Sequence, residues 1–227
     1  MTIRAVLFDF SGTLFRLEAE DSWFTGIQVD ERSVDEHVQA ELMRRLTAPT
    51  GRTVDMDDRQ YRTWLDRDLE PQLHREAYLH VLRESGLADH HAELLYQRVV
   101  DPASWTHYPD TAAVLAGLRH KGIRVAVVSN IAFDVRPAFA SLGVLDDVDE
   151  FVLSYEVGAV KPHPEIFATA LKRLGVGAED AVMIGDSAEA DGAARDVGCR
   201  FELVDPLPTD QRPAGLVNAL GAAGISI

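Results

Sequence analysis

Positive charge is scarce in this chain relative to negative. Of 227 residues, 22 are lysine or arginine and 37 are aspartate or glutamate, a formal net charge of −15. A surface so acidic argues against non-specific binding to nucleic acid or to an anionic membrane. It still allows an anionic small-molecule substrate, because a bound cation can invert the field inside one pocket. Cysteine is nearly absent too. Cys199 stands alone, so no internal disulfide can form and no oxidising compartment is required. Long apolar runs are missing as well. MTIRAVLFDF is too short for a signal-peptide core, and nothing later reaches the length that crosses a bilayer. The expected location is the cytoplasm.

What is present fits an ordinary globular protein, with 46% hydrophobic and 26% charged residues. The length suits a core of roughly 130 residues plus a smaller insert. Ile3 to Phe10 is a nearly continuous apolar run, as expected of a parallel strand covered on both faces, and it ends in a turn at Ser11-Gly12-Thr13. Further strands are predicted at Ile123–Val128, Glu150–Ser154, Ala181–Ile184 and Cys199–Val204. Helices are predicted at Thr111–Lys121 with Asp110 as N-cap, at Pro164–Leu174 and at Ala188–Val197; Gly122, Gly175 and Gly198 stand at their ends. Strands alternating with helices imply an α/β fold with an open, Rossmann-like parallel sheet.

Residues 15–105 break that rhythm. They hold amphipathic helical patterns such as Val34–Leu46, Asp57–Leu69 and Arg75–Glu84, and no convincing buried strand. A structureless loop of that size is improbable, so a helical insert is expected at 15–105 and an α/β core at 1–14 and 106–227. The insert has no lysine. All three lysines, Lys121, Lys161 and Lys172, follow it.

Chemistry-bearing residues gather at the C-terminal ends of the predicted strands, the edge where open parallel sheets bind ligands. Asp9 follows AVLF. Ser129 and Asn130 follow VAVV. Lys161 sits in the loop beyond VLSYEVGAV, and Asp186 follows AVMIG with Asp191 five residues on. Singly, each has an ordinary explanation: a turn residue, a helix cap, a solvated lysine. Their joint occurrence, in chain order and each behind its own strand, points to one site.

That set resembles the haloacid dehalogenase superfamily over essentially the whole chain. Asp9-Phe10-Ser11-Gly12-Thr13 is similar to its nucleophile loop and Val128-Ser129-Asn130 to its second motif. Lys161-Pro162-His163-Pro164 is similar to the third, and Gly185-Asp186-Ser187 through Asp191 to the fourth. The resemblance implies a helical cap in the insert, closing over a small phosphorylated substrate. It also implies attack on phosphorus by Asp9, giving an aspartyl-phosphate that water hydrolyses. Mg²⁺ would be held by Asp9, the Ser11 backbone carbonyl and Asp186, with Asp191 holding the metal's waters or orienting Lys161. Ser129, Asn130 and Lys161 would serve the transferring phosphoryl group, and Lys161 would keep Asp9 ionised.

One position departs from the pattern. Phosphatases of the superfamily carry a second aspartate two residues after the nucleophile, and here that residue is Ser11. A hydroxyl is no proton reservoir near neutral pH, and general acid–base catalysis is worth ~10²–10⁴ in rate. Weak action on alkyl phosphates follows. A metal-free dehalogenase, whose halide needs no proton, would tolerate Ser11 but has no use for Asp186. A phosphonate hydrolase would need a cap lysine, and there is none. A ligand-binding homologue without turnover is the non-enzymatic alternative.

The remaining features are ambiguous in sequence. His37, His74, His80, His90 and His91 offer proton donors from the insert or are plain surface residues. Trp23, Phe24, Trp64 and Trp105 line a cleft or fill the insert's core. Arg16 is a surface residue or reaches a substrate anion. Tyr108-Pro109 marks re-entry to the core, and Cys199 a buried strand. Monomer and homodimer are both compatible with the sequence.

Overall fold

The computed structural model describes residues 2–18, 21–47 and 51–227. In chain order, β1 (Ala5–Phe8) and β2 (Phe15–Leu17) precede a segment holding β3 (Gln28–Val29), β4 (Arg32–Ser33), α1 (Glu36–Leu46), α2 (Asp58–Leu65), α3 (Pro71–Glu84) and α4 (Asp89–Val100). Then come β5 (Trp105–His107), α5 (Thr111–His120), β6 (Arg124–Ser129), α6 (Arg136–Leu142), β7 (Glu150–Leu153), α7 (Ser154–Val157), α8 (Pro164–Leu174), β8 (Ala181–Gly185), β9 (Arg200–Leu203) and α9 (Gly215–Ala222). The chain divides into two compact units, Met1–Glu18 with Trp105–Ile227, and Ala19–Ser104.

The larger unit is built on a five-stranded parallel sheet in the order β7-β6-β1-β8-β9. Ala5 of β1 lies opposite Arg124 on one side and Ala181 on the other. All four β1 residues are fully buried, and their alternation explains why the run contains no polar residue. Val6 and Phe8 face a layer filled by Val114, Leu115 and Leu118 of α5, Phe139 of α6 and Leu216 and Leu220 of α9. Ala5 and Leu7 face the opposite layer, with Ile166, Phe167, Ala170 and Leu171 of α8. This is the expected α/β, Rossmann-like architecture, and the five expected strands lie within a residue or two of their predicted ends.

Four local expectations need correction. Residues 15–18 and Trp105 fall with the α/β unit, not with the insert, because β2 pairs antiparallel with β5 in a ribbon running from Phe15↔His107 to Leu17↔Trp105. The helix expected at 188–197 is replaced by tight turns over Gly192–Val197. The Ser187 carbonyl there accepts from both Asp191 and Gly192 N–H, and its hydroxyl from Ala190 N–H, which spends residues 187–191 on a turn. Asp110 does precede α5, but its side chain caps another helix, accepting from Leu216 and Val217 N–H at 2.8 and 3.1 Å. The pattern over Asp57–Leu69 splits. α2 stops at Leu65, and Arg67–Leu69 forms a separate turn.

The smaller unit is helical. α1 starts at the N-cap Asp35, and α2 at a capping box in which Asp57 and Gln60 satisfy each other's backbone N–H. α3 opens on Pro71, four residues before its expected start, and packs against α1, α2 and α4. Its interior contains Leu42, Leu46, Trp64, Leu79, Val81, Leu82, Leu95 and Val99, all nearly inaccessible. Trp64 therefore belongs to this core, whereas Trp105 packs on Phe10 in the other unit, ring centroids 4.9 Å apart. His74 and His91 are buried rather than at the surface. Among the described residues no helix is long and apolar enough to cross a membrane.

Candidate active site

The carboxyl ends of β1, β6 and β8, the three central strands, converge, and each carries a residue singled out in sequence. Asp9 leaves β1 with its N–H bonded to the Ile184 carbonyl of β8 at 3.0 Å, which fixes its direction from the backbone. Its carboxylate accepts from Lys161 Nζ at 2.6 Å, and the same ammonium donates to Asp191 Oδ1 at 2.6 Å. All three side chains are buried. Asp191's second oxygen takes the Ser187 N–H at 2.9 Å, so both of its oxygens are engaged. Asp186 joins the group, with one carboxylate oxygen from each of Asp9, Asp186 and Asp191 lying within 4.8 Å of the others.

Asn130 braces Lys161 from the neighbouring strand. Its amide donates to the Lys161 carbonyl at 2.9 Å and accepts from the Lys161 N–H at 2.7 Å. This two-point pairing occupies both ends of the carboxamide with the lysine's backbone. Ser129, the last residue of β6, is buried beside it. Ser11 lies on the loop after Asp9 with an exposed side chain.

The loop itself is determined by Gly12. Its φ of +77° favours glycine, and a Cβ there would collide with the Asp186 carboxylate. The Phe10 carbonyl takes the N–H groups of Leu14 and Phe15, the Phe15 carbonyl that of Gly12, and the Leu14 carbonyl that of Tyr108. Among the described residues no donor takes the Ser11 carbonyl. Arg212, to which the sequence drew no attention, bonds the carbonyls of Gly12 and Thr13.

Electrostatically the site carries more negative charge than Lys161 can balance. Burial pushes the Asp9 carboxyl up to about 7 against the pull of Lys161, and Asp191 and Asp186 add to the rise. Burial, then Asp191, pushes Asp186 up to about 6. Burial by itself would weaken the Lys161 ammonium, but Asp191 and Asp9 overrule it, and the amine is held above the ordinary lysine value. Three carboxylates beside one ammonium make a cluster of oxygen donors with negative charge to spare. The donor set, carboxylates with one spare backbone carbonyl, suits a hard divalent ion such as Mg²⁺.

Other sequence candidates have partners of their own. Arg16 bonds the Pro206 carbonyl and lies 3.4 Å from Glu18, an arrangement internal to the α/β unit. His74 pairs with the Tyr96 hydroxyl at 3.1 Å, and His91 accepts from Gln28 N–H at 3.2 Å. Cys199 is buried just before β9, its thiol pushed up to about 11 by burial.

Residues 3–198 match the haloacid dehalogenase-like hydrolases. The chain belongs to that family. A glyceraldehyde 3-phosphate phosphatase of Methanopyrus kandleri is 35% identical over 149 residues, which cover 56% of this chain and 63%, less than two thirds, of that protein. Among solved structures, a HAD phosphatase from Thermococcus onnurineus is similar with a TM-score of 0.55 and 27% identity, covering 89% of this chain and 86% of that one. An L-2-haloacid dehalogenase from Xanthobacter autotrophicus is similar with a TM-score of 0.63 and 24% identity, covering 96% and 83%. That last likeness is one of fold alone.

Proposed function

We propose that the protein is a Mg²⁺-dependent phosphatase for small phosphorylated metabolites, with Asp9 as nucleophile and Ala19–Ser104 as its cap. The observation that carries this reading is the retention of Asp186 beside Asp9 in a cluster that Lys161 alone leaves negatively charged. A halide-displacing site has no need of that third carboxylate. The relatives named as phosphatases support the same class.

Asp9, Asp186 and the Ser11 carbonyl would hold the metal, which supplies charge neutralisation for the phosphoryl oxygens and lowers the proton affinity of the carboxylates around it. Asp191, both oxygens already engaged, acts by fixing Lys161 rather than as a direct ligand. Lys161 keeps Asp9 anionic and offers its positive charge to the incoming phosphoryl group. Asn130 sets the lysine's backbone, and Ser129 donates its hydroxyl to a phosphoryl oxygen. An Asp9 carboxylate oxygen forms a bond to phosphorus as the ester P–O bond breaks. Water then attacks phosphorus in the aspartyl-phosphate, releasing phosphate and restoring Asp9.

The first step leaves an alkoxide or phenolate that wants a proton, and Ser11 cannot supply one at neutral pH. Activated esters, whose leaving groups depart as stable anions, are therefore the preferred substrates. The test is a turnover screen with and without Mg²⁺ on p-nitrophenyl phosphate, acetyl phosphate, sugar and nucleotide monophosphates, and 2-chloropropionate. Mg²⁺-dependent phosphate release favouring the activated compounds is expected. Chloride release that ignores EDTA would overturn the reading in favour of a dehalogenase, and Mg²⁺ binding without turnover of any compound would turn it into a binding protein.

A further inference from the structure

We propose that Arg212 is a positioning residue for the nucleophile loop, clamping the two peptide groups that follow Ser11. This inference rests on the assignment of Asp9 as nucleophile, but its geometry is independent of that chemistry. The loop from Phe10 to Phe15 contains six carbonyls. Those of Phe10, Leu14 and Phe15 are satisfied by N–H groups of the loop and of Tyr108. Those of Gly12 and Thr13 are taken by a side chain from the far end of the chain. Arg212 Nη1 donates to the Gly12 carbonyl at 2.7 Å, and Nη2 donates to that of Thr13. A planar fork with two parallel donors fixes the relative orientation of two successive peptides, which a single flexible ammonium cannot do.

The clamp is itself constrained. Arg212 is buried, its guanidinium stacked over the Tyr108 ring at 3.1 Å from the centroid, and Nη1 also reaches the Asp205 carbonyl at 3.2 Å. Gly215 leaves room for it, since a Cβ there would come within 2.7 Å of Arg212 Cδ. The segment from Asp205 to Arg212 is tied to the same region at three further points. Tyr108 donates its hydroxyl to the Leu207 carbonyl at 2.9 Å, Thr209 N–H donates to Glu18 at 2.7 Å, and Arg16 bonds the Pro206 carbonyl. A Cβ at Gly12 would come within 3.2 Å of Pro206 Cβ. This strap holds the Gly12 and Thr13 carbonyls, and among the described residues the loop leaves the Ser11 carbonyl without a protein donor.

Two measurements on the full chain test the clamp. In Arg212→Ala, the amides of Gly12, Leu14 and Phe15 are expected to exchange with solvent at least about tenfold faster, while those of Val6, Leu7 and Phe8 on β1 are unchanged. Arg212→Lys, which keeps the charge but not the fork, is expected to protect them only in part. With Mg²⁺ and p-nitrophenyl phosphate, kcat of Arg212→Ala should fall about 10²-fold while KM moves little, as for a misplaced reacting group. Added guanidinium should restore a substantial part of that loss, and urea should not.

Unchanged loop exchange would overturn the proposal. So would acceleration spread equally over β1, which would make Arg212 a general stabiliser. If Arg212→Ala does not fold, Gly215→Ala displaces the guanidinium by its new Cβ and must show the same loop-specific exchange. If the parent enzyme hydrolyses no phosphate, the phosphatase reading fails, and the exchange measurement still decides the clamp.

Discussion

Both units of this molecule bury ionisable side chains, and Lys161 and His74 show two opposite ways of doing so. At its site the α/β unit buries an ion-paired cluster. Lys161 sits between Asp9 and Asp191 at 2.6 Å from each, with Asp186 alongside. The helical unit buries one histidine neutral. His74 lies stacked on Tyr78 with ring centroids 4.2 Å apart and bonded to Tyr96, and burial, with a push from Arg67, lowers it to about 3. A neutral imidazole among aromatics costs little in a packed core. A cluster with three carboxylates to one ammonium is expensive to desolvate, and its retention is explained by what it does rather than by what it stabilises. A buried cluster with more carboxylates than cations therefore marks the site, whereas the buried neutral imidazole of His74 marks structure.

The contrast is broken most severely at Asp9, the proposed nucleophile. Asp9→Asn should lower turnover at least about 10⁴-fold, with an unchanged circular dichroism spectrum and melting temperature. Activity within tenfold of the parent would remove Asp9 from the chemistry. Lys161→Met is expected to lower turnover about 10³-fold or more and, in the absence of Mg²⁺, to cost about 3–5 kcal/mol in urea unfolding, because two buried carboxylates lose their counter-ion. A variant as stable as the parent would show that the pair is not desolvated. Ser11→Asp should raise the hydrolysis of alkyl phosphates by about one to two orders, leaving acetyl phosphate nearly unaffected. A flat response would place the rate limit elsewhere.

The gentlest prediction concerns the helical unit. A histidine whose folded pKa is depressed keeps its full stability above the unfolded value near 6.5, and loses stability as pH falls toward 3, where only the unfolded chain takes up the proton. Unfolding of this unit should therefore acquire a slope approaching ~1.4 kcal/mol per pH unit in that window, and His74→Phe should remove it. Urea titrations at pH 4.5 and 7 measure this directly. Equal slopes in parent and variant would mean that His74 is hydrated.

Much of this was legible in the residues. β1 and β8 are apolar on both faces because both faces are covered, so AVLF and AVMIG read as strands, and the acids that follow them stood out against that background. The converging site was readable for the same reason. Long-range side-chain business was not. Asp110 precedes a helix and looks like its cap, but the groups it caps are more than 100 residues away. Arg212 belongs to no periodic pattern, and nothing local distinguishes it from a solvated arginine. The burial of His74 depends on Tyr96 of α4, whose apolar residues Ala92, Leu95, Tyr96 and Val99 follow a polar start at Asp89-His90-His91 that says nothing of a partner in α3.

The place of β1 in the sheet has a consequence for how the chain comes to be folded. The strand is made first but lies in the middle, and its partners are residues 124–127 on one side and 181–184 on the other. A growing chain therefore carries an unpaired apolar AVLF segment until residues 124–127 have been made, whereas the helices of Ala19–Ser104 close through contacts near in sequence and can form while it waits. Loops of this length make the central pairing the slow step, and the unsheltered segment is where a growing chain is most exposed to association with its neighbours.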